Sequence, residues 1–351
     1  MNHVLIDYER TKYPNTGLYH FCLQLGKELI RQANQDKETL SFYVPKSQQL
    51  FGENQQYVFQ HPLHKFYQPG TSQFDVWHSI YQNSDYRPYN KKTRIVLTVH
   101  DLNFLIERKD QQHKIKKYLK KVQDNINRAQ SIVCISAYAK DIMQEHLSIS
   151  NKPVHIIYNG CNINEFPGFD APPYRPAKPF IFSLGTVLPK KNFHVLPALL
   201  KNNNFELIIA GEINKEYKLK IEAEAKLHAV ANRVILTGPI SEKDKYWYYK
   251  NCKAFAFPSL AEGFGLPVIE AMYFGKPVFL SRLTSLPEVG GTLAYYFDGF
   301  DAHQMQLVFE KGMEHYRQTN PAEAIQQHAV SFNWKNAAAQ YLDVYRELYN
   351  K

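Results

Sequence analysis

Cysteine is scarce in this chain, and long apolar runs are missing from it. Four widely spaced cysteines occur among 351 residues, at Cys22, Cys134, Cys161 and Cys252. Without an export signal, we expect them to be reduced core residues rather than disulfide partners. The first apolar run ends at Asp7, too early for a signal peptide, and no run approaches the roughly 20 residues of a membrane-spanning helix. We therefore expect a cytoplasmic protein, with peripheral membrane contact left open.

Several catalytic signatures are also missing. The sequence has no Asp-x-Asp pair and no His-Glu-x-x-His spacing, so we expect neither a metal nor another cofactor to bridge a substrate diphosphate. The absence of G-x-S-x-G and of G-x-x-x-x-G-K-[ST] argues against a hydrolase and a P-loop enzyme. No G-x-G-x-x-G follows the first strand, which argues against a nicotinamide dehydrogenase.

The composition is that of an ordinary globular protein, with 44% apolar and 21% charged residues. A length of 351 residues favours two domains. The formal net charge of +9 points to one of three partners: nucleic acid, an anionic membrane surface or a phosphorylated substrate.

Short β-rich runs alternate with longer amphipathic runs in both halves of the chain. The first half predicts strands at 4–7, 76–79 and 94–98 and helices at 18–31 and 111–128. The alternation restarts at residue 180, where a strand at 180–184 precedes a predicted helix at 194–201 and further strand–helix pairs. This pattern predicts an α/β fold with two parallel sheets, each covered by helices on both faces.

The best candidate for a domain boundary is residues 166–179, which contain five prolines. We therefore predict an N-terminal domain at 1–165, a linker at 166–179 and a C-terminal domain at 180–330. An amphipathic C-terminal helix within 331–351 has the length to cross between the domains. Ligands of such sheets bind beyond the carboxyl ends of the strands, so the site is expected in a cleft between the domains.

The most informative segment is E-G-F-G-L-P-V-I-E, from Glu262 to Glu270, which follows a predicted strand. Its glycines allow backbone N–H groups to approach an anion at the start of a helix, and its two carboxylates suit a hydroxyl-rich ligand. The alternative interpretation is a surface loop with a glutamate that stabilises the helix dipole.

This segment resembles the E-x7-E signature of the family 4 glycosyltransferases, which have the GT-B fold. Four further motifs match in order: T-V-H-D at 98–101, Y-N-G-C-N at 158–162, L-G-T-V-L-P-K-K-N at 184–192 and T-S-L-P-E at 284–288. The resemblance spans about residues 4–297. It implies two Rossmann-like domains, an N-terminal one for the acceptor and a C-terminal one for a nucleotide sugar.

The resemblance also implies roles for residues in the C-terminal domain. Lys191 and Lys190 would neutralise the donor diphosphate, Glu262 would contact the donor sugar and act in catalysis, and Glu270 would hold the ribose. Further donor-binding residues would be Gly185, Thr186, Gly238, Gly263, Phe264, Gly265 and Leu266. Lys190 stands where relatives often have arginine, which keeps the charge but not the bidentate phosphate contact.

In the N-terminal domain, the resemblance makes His100 a catalytic candidate that orients the reacting sugar. Gly17, which precedes a predicted helix, would offer amides to the diphosphate. His78 and Asp101 are candidates for the acceptor side. A histidine at a strand end is often structural, and the richer glycine loop of many relatives is reduced here to Gly17.

The basic charge is concentrated in residues 108–128, which hold eight basic and two acidic residues. The two interpretations are a helix face exposed to solvent and a helix that binds anionic lipid. We favour the anionic membrane surface, with the protein at the inner face of the cytoplasmic membrane. Nucleic acid is not expected, because the cluster accompanies no nucleic-acid-binding module.

The expected function is retaining, metal-independent transfer of a sugar to a saccharide or lipid-linked acceptor of lipopolysaccharide, O-antigen or capsule. The form of the 184–192 motif favours GDP-mannose as donor, with UDP-sugars next. The alternatives are a GT-B nucleotide-sugar epimerase or phosphorylase and, from another class, a non-catalytic protein that binds nucleotide sugars.

Overall fold

The computed structural model describes residues 2–14, 16–34, 36–161 and 163–349. The chain forms two compact units, and the first is discontinuous. Met1–Gly160 and Asn333–Lys351 make up the first unit, and Cys161–Phe332 make up the second. Both units are α/β, as the alternation of strands and helices predicted.

All strand pairs within each sheet are parallel. The strands of the first unit are β1 (Asn2–Asp7), β2 (Glu38–Val44), β3 (Gln56–Phe59), β4 (Val76–Ser79), β5 (Arg94–Val99), β6 (Ser131–Cys134) and β7 (Val154–Ile156). Those of the second unit are β8 (Phe180–Leu184), β9 (Glu206–Ala210), β10 (Val234–Gly238), β11 (Ala254–Phe257), β12 (Val278–Ser281) and β13 (Tyr295–Phe297).

The two sheets have related strand orders. The first runs β3-β2-β1-β4-β5-β6-β7, and the second runs β10-β9-β8-β11-β12-β13. In each sheet, the first three strands are placed successively towards one edge and the later strands successively towards the other edge. The strand order therefore reverses between two central strands. These switch points lie between β1 and β4 and between β8 and β11, where the loops at the carboxyl edge diverge and leave room for a ligand.

The α-helices lie between the strands and after the last of them. They are α1 (Gly17–Gln32), α2 (Phe104–Glu107), α3 (Gln112–Arg128), α4 (Ala137–His146), α5 (Lys215–Leu227), α6 (Glu242–Asn251), α7 (Leu266–Tyr273), α8 (Leu286–Gly290), α9 (Ala302–Thr319), α10 (Ala322–Ser331) and α11 (Trp334–Tyr349). The helix predicted at 194–201 is a 3-10 helix, Phe193–Leu200, with Pro197 inside it. Proline lacks the N–H that an α-helical hydrogen bond needs, which accounts for the difference.

The C-terminal helix α11 belongs to the first unit, so it ends there rather than crossing between domains. Its Tyr341 hydroxyl lies 3.1 Å from the Thr98 hydroxyl, and its Tyr345 hydroxyl lies 2.7 Å from Nδ1 of His78. Both tyrosines are buried. The helix therefore completes the core on the α1 side of the first sheet.

The proline-rich segment at 166–179, predicted as a linker, is part of the second unit. The Tyr174 hydroxyl donates to the Glu206 carboxylate at 2.5 Å, and the amides of Ala177 and Lys178 donate to its other oxygen. The chain passes between the units at Gly160 and again after Phe332. Proline stiffens an extended segment. Here that segment is hydrogen-bonded to β9 through the buried Glu206 carboxylate.

Candidate active site

The second unit places two of the predicted motifs side by side. The loop after β8 carries Gly185, Thr186, Lys190 and Lys191, and the loop after neighbouring β11 carries Glu262 and residues 263–266. The amide of Leu260 donates to the Lys190 carbonyl at 2.7 Å, which ties the loops together. The predicted donor residues of these two loops therefore lie at the switch point of this sheet.

The side chains of Lys191 and Glu262 form an ion pair between these loops. Lys191 Nζ lies 2.5 Å from Glu262 Oε1, and the same oxygen accepts the Ser259 hydroxyl at 2.5 Å. Thr284 accepts the backbone N–H of Glu262 at 3.1 Å. Both charged side chains are about seven-eighths buried. A cation and a carboxylate are thus held together at the site predicted for a diphosphate and a sugar.

The turn before α7 depends on Gly265. Its φ of +111° is left-handed, and a β-carbon there would lie 2.9 Å from Leu286 Cδ2. The Phe264 carbonyl accepts the Ser285 hydroxyl at 2.9 Å. This arrangement sets the backbone of residues 263–266 at the N-terminal end of α7, where N–H groups favour an anion or a hydroxyl oxygen.

Glu270 is buried in α7 and paired with Lys245, a residue that the motifs did not indicate. Glu270 accepts from Lys245 Nζ at 3.2 Å and from the Tyr249 hydroxyl at 2.9 Å. Burial raises the pKa of Glu270, and Lys245 and Tyr249 offset this in part. Burial opposes the charge of Lys245, but Glu270 and Glu242 outweigh it and raise the Lys245 pKa. Glu270 and Lys245 thus form a buried hydrogen-bonded pair within the second unit.

Gly238 lies further along the same edge, at the end of β10. Its carbonyl accepts the amide of Gly211, and Gly211 in turn packs against Gly185 so closely that a β-carbon would lie 2.1 Å from the Gly185 oxygen. Half-buried Thr186 follows Gly185. The loops after β8, β9 and β10 thus form one continuous edge leading to the switch point.

In the first unit, His100 is buried at the end of β5. Its Nε2 donates to the Ile80 carbonyl at 2.7 Å, because a carbonyl only accepts, which leaves Nδ1 as the acceptor nitrogen. Its ring packs edge-on against Phe21. Burial lowers the pKa of His100 to about 4, so the ring is neutral at physiological pH.

His78 does not fit the predicted role on the acceptor side. Its side chain is 0% exposed, with Nε2 at 2.8 Å from the Thr98 hydroxyl and Nδ1 at 2.7 Å from the Tyr345 hydroxyl. Burial lowers its pKa to about 3. Both ring nitrogens are used inside the core, so His78 is a structural histidine.

Asp101 and Gly17 remain at accessible positions of the first unit. Asp101 accepts the Asn103 amide at 2.9 Å, while its carbonyl accepts from Gln82 at 2.7 Å. Gln82 also accepts the His100 amide, so this glutamine, absent from the motifs, fixes the whole loop. Gly17 is exposed at the start of α1, and a β-carbon there would meet no atom within 4 Å.

The last residue of β1, Asp7, and the turn after it, which carries Glu9, provide two buried carboxylates that the sequence did not single out. Asp7 accepts the Glu9 amide at 3.0 Å and the Ser84 hydroxyl at 2.8 Å. Burial raises the pKa of Asp7 and of Glu9. Only their position at the end of β1, beside the first switch point, signals them in the sequence. Asn162, the last residue of the Y-N-G-C-N motif, lies outside the described residues.

Within the described ranges, no three His, Cys, Asp or Glu residues lie where they could hold a metal ion together. In the same part of the chain, no helix combines the length and apolar character needed to cross a membrane.

Two family models match the chain. Residues 40–165 match the model described as Glycosyltransferase Family 4, and residues 169–306 match Glycosyl transferases group 1. The second match contains the Lys191–Glu262 pair and Glu270, and the first contains His100.

Curated relatives and solved structures agree with these matches. Serotype-specific mannosyltransferase WbdA of Escherichia coli is 34% identical over 185 residues, 50% of this chain but 22% of the relative. The chain thus spans about a fifth of that protein. O-antigen chain mannosyltransferase B of Escherichia coli is 24% identical, over 98% of this chain and 100% of the relative.

Among solved structures, Anabaena HepE in complex with UDP and glucose has a TM-score of 0.70 at 14% identity, and the match covers 99% of this chain and 100% of HepE. This likeness shows the fold. The two family models together match most of the chain, and the two parallel sheets have the same order of their first six strands. The chain belongs to the family 4 glycosyltransferases and has the GT-B fold.

Proposed function

We propose that this protein transfers a sugar from a nucleotide-sugar donor to a saccharide acceptor during synthesis of a lipopolysaccharide, O-antigen or capsule. Mannose from GDP-mannose is the first candidate, and UDP-sugars come next. The relatives named as mannosyltransferases support the sugar, and the solved relative with UDP and glucose supports a nucleotide-sugar donor. The observation that carries the proposal is the Lys191–Glu262 pair at the second switch point.

The donor would lie along the loops of the second unit. Lys191, with Lys190 beside it, would neutralise the diphosphate, and the N–H groups at the start of α7 would add positive potential. Glu262 would accept hydrogen bonds from sugar hydroxyls, and Glu270 from the ribose. In this scheme the cationic side chains and the helix terminus do the work that a metal performs in other enzymes.

We propose retention of the anomeric configuration. The bond between the anomeric carbon and the diphosphate oxygen breaks, and the acceptor oxygen bonds to that carbon on the same face. The acceptor proton passes to the departing phosphate oxygen, so no strong base is needed. His100 would orient the sugar through its acceptor nitrogen Nδ1, since Nε2 is held by Ile80.

We further propose that the protein works in the cytoplasm, at the inner face of the cytoplasmic membrane, with residues 108–128 as the basic contact. Within this segment, Lys114, Lys116, Lys117 and Lys120 are exposed. Such a location would bring the enzyme to lipid-linked acceptors, and anionic lipid attracts clustered lysines.

The test is a thermal-shift screen of nucleotide sugars followed by a transfer assay with the best ligand. A bound donor raises the unfolding temperature by mass action. Transfer to a mannose-containing acceptor, with an α-linked product from an α-linked donor by NMR, is the expected result. Isomerisation of the donor without acceptor would favour an epimerase, and binding without transfer would favour a non-catalytic protein.

A further inference from the structure

Three large apolar side chains are exposed together in the first unit, between β3 and β4. Leu63, Phe66 and Tyr67 are 63%, 78% and 66% exposed, on and just after the short 3-10 helix Pro62–Lys65. Exposing this much apolar surface in one turn is costly in water, and grouped exposure of this kind marks an interaction site. We call these three residues the apolar tip.

The apolar tip lies beside the basic helix α3. Asp85 connects them, because its carboxylate binds Lys65 Nζ at 3.4 Å and Lys121 Nζ at 2.5 Å. The Tyr89 hydroxyl also donates to the Lys65 carbonyl. The two ammonium groups therefore contact the same carboxylate, one from the turn that carries the tip and one from α3.

A stripe of basic residues continues along α3 from this junction. Lys114 and Lys117 are seven and four positions before Lys121, so they lie on the same side of the helix. Both are exposed. Arg128, seven positions after Lys121, lines a small cavity together with Arg87. The surface thus combines an apolar tip with several cations.

We propose that this surface docks on an anionic lipid bilayer, with Leu63, Phe66 and Tyr67 inserted at the interface and the α3 stripe on the headgroups. The inference rests on the membrane association proposed above and adds the element that inserts. A lipid surface is favoured because apolar insertion and attraction to anionic lipid reinforce each other, whereas either one alone gives marginal binding. Lys65 and Lys121, which both bind Asp85, connect the tip to the stripe.

The first experiment is co-sedimentation of the full chain with vesicles of phosphatidylglycerol and phosphatidylcholine, and with phosphatidylcholine alone. The variant Leu63→Ser/Phe66→Ser/Tyr67→Ser is expected to bind anionic vesicles at least about tenfold more weakly. Lys114→Glu/Lys117→Glu should weaken binding at low salt, while about 1 M NaCl should abolish the difference from the parent protein.

The matched control changes exposed residues elsewhere. Leu219 and Leu227 are 65% and 75% exposed on α5 of the second unit, so Leu219→Ser/Leu227→Ser should bind vesicles like the parent protein. Equal loss in the control, or unchanged binding of the apolar-tip variant, overturns the proposal. Conversion of a parent dimer to a monomer by the apolar-tip substitutions, with vesicle binding unaffected, also overturns it in favour of a second copy.

A second experiment reports insertion directly. The native Trp77, Trp247 and Trp334 are 0%, 6% and 6% exposed, so a tryptophan at position 66 dominates any change on lipid. Phe66→Trp should shift its emission to the blue with anionic vesicles and be quenched by brominated lipid, and absence of both overturns insertion. The nucleotide-sugar thermal shift of the apolar-tip variant should equal that of the parent protein. A protein that does not bind vesicles but keeps its thermal shift with the nucleotide sugar would therefore overturn the docking proposal and leave the proposed enzyme activity unaffected.

Discussion

Lys191 and Glu262 are 71 positions apart in sequence, yet their charged atoms lie 2.5 Å apart. Lys191 Nζ also lies 4.7 Å from the centroid of the Phe257 ring, at the end of β11. The lysine is therefore positioned from two sides before any ligand arrives. A diphosphate would compete with Glu262 for this cation and leave the carboxylate available for sugar hydroxyls.

Replacing Lys191 with methionine should lower the transfer rate at saturating donor about 10²- to 10³-fold, because the charge of the leaving diphosphate is no longer neutralised. Lys191→Arg keeps the charge and should lose much less. Initial rates of transfer measure both variants. A Lys191→Met enzyme within about threefold of the parent rate would remove this lysine from the mechanism.

Replacing Lys245 with methionine should destabilise the second unit by about 3 kcal/mol, since it leaves the Glu270 carboxylate buried without its cation. The substitution also removes Lys245 as the main interaction that lowers the Glu270 pKa. The carboxyl would then take up a proton more readily, so nucleotide affinity should also fall. Urea unfolding and nucleotide titration measure the two effects. In the double variant Lys245→Met/Glu270→Gln, stability should largely return while nucleotide affinity stays low; full recovery of affinity would show that Glu270 has no role in binding.

Gly17 and Gly265 give a matched pair of glycine substitutions. Gly265→Ala should cost roughly 1–3 kcal/mol in stability, because of its positive φ and the 2.9 Å approach to Leu286. Gly17→Ala meets no neighbouring atom and should leave stability unchanged or raise it by up to about 1 kcal/mol. We expect Gly17→Ala to slow transfer nevertheless, if the amides at the start of α1 face the diphosphate. Unchanged kinetics would assign Gly17 to local structure only.

His100 should make stability depend on pH. Its folded pKa of about 4 lies below its ordinary value of 6.5, so the unfolded chain binds more protons between these values. The stabilising contribution is complete above pH 6.5 and is lost as the pH falls towards 4. His100→Asn should reduce the slope of unfolding free energy against pH by up to about 1.4 kcal/mol per pH unit in this window.

Urea unfolding at several pH values between 4 and 7 measures this slope. His113→Asn makes the same substitution at an exposed position of α3 and provides the control. Comparison of variants is needed because Asp7 and Glu9, whose pKa values are raised by burial, contribute with the opposite sign. Identical slopes for His100→Asn and His113→Asn would contradict the expectation.

The fold was predictable because strands and helices have different apolar periods. The strands β4 and β8 occur at the predicted residues, and α11 lies within the predicted range 331–351. The grouping of the loops after β8 and β11 was also predictable, since the motifs follow neighbouring strands. The role of Lys245 was not predictable, because its pairing with Glu270 arises from the packing of α6 beside α7. His78 was misassigned because the sequence does not show that α11 returns to the first sheet and binds its ring.

The return of α11 to the first unit has a consequence for folding during synthesis. The second unit is one continuous stretch, so it can fold as soon as it leaves the ribosome. The first unit must wait, because Tyr341 and Tyr345, which meet Thr98 and His78, are synthesised only after all of the second unit. Until then the Thr98 hydroxyl and Nδ1 of His78 lack the tyrosine hydroxyls that α11 provides. Within this chain, the unit that begins first along the sequence therefore finishes folding last, and a product terminated at Gly160 lacks the helix that closes its core.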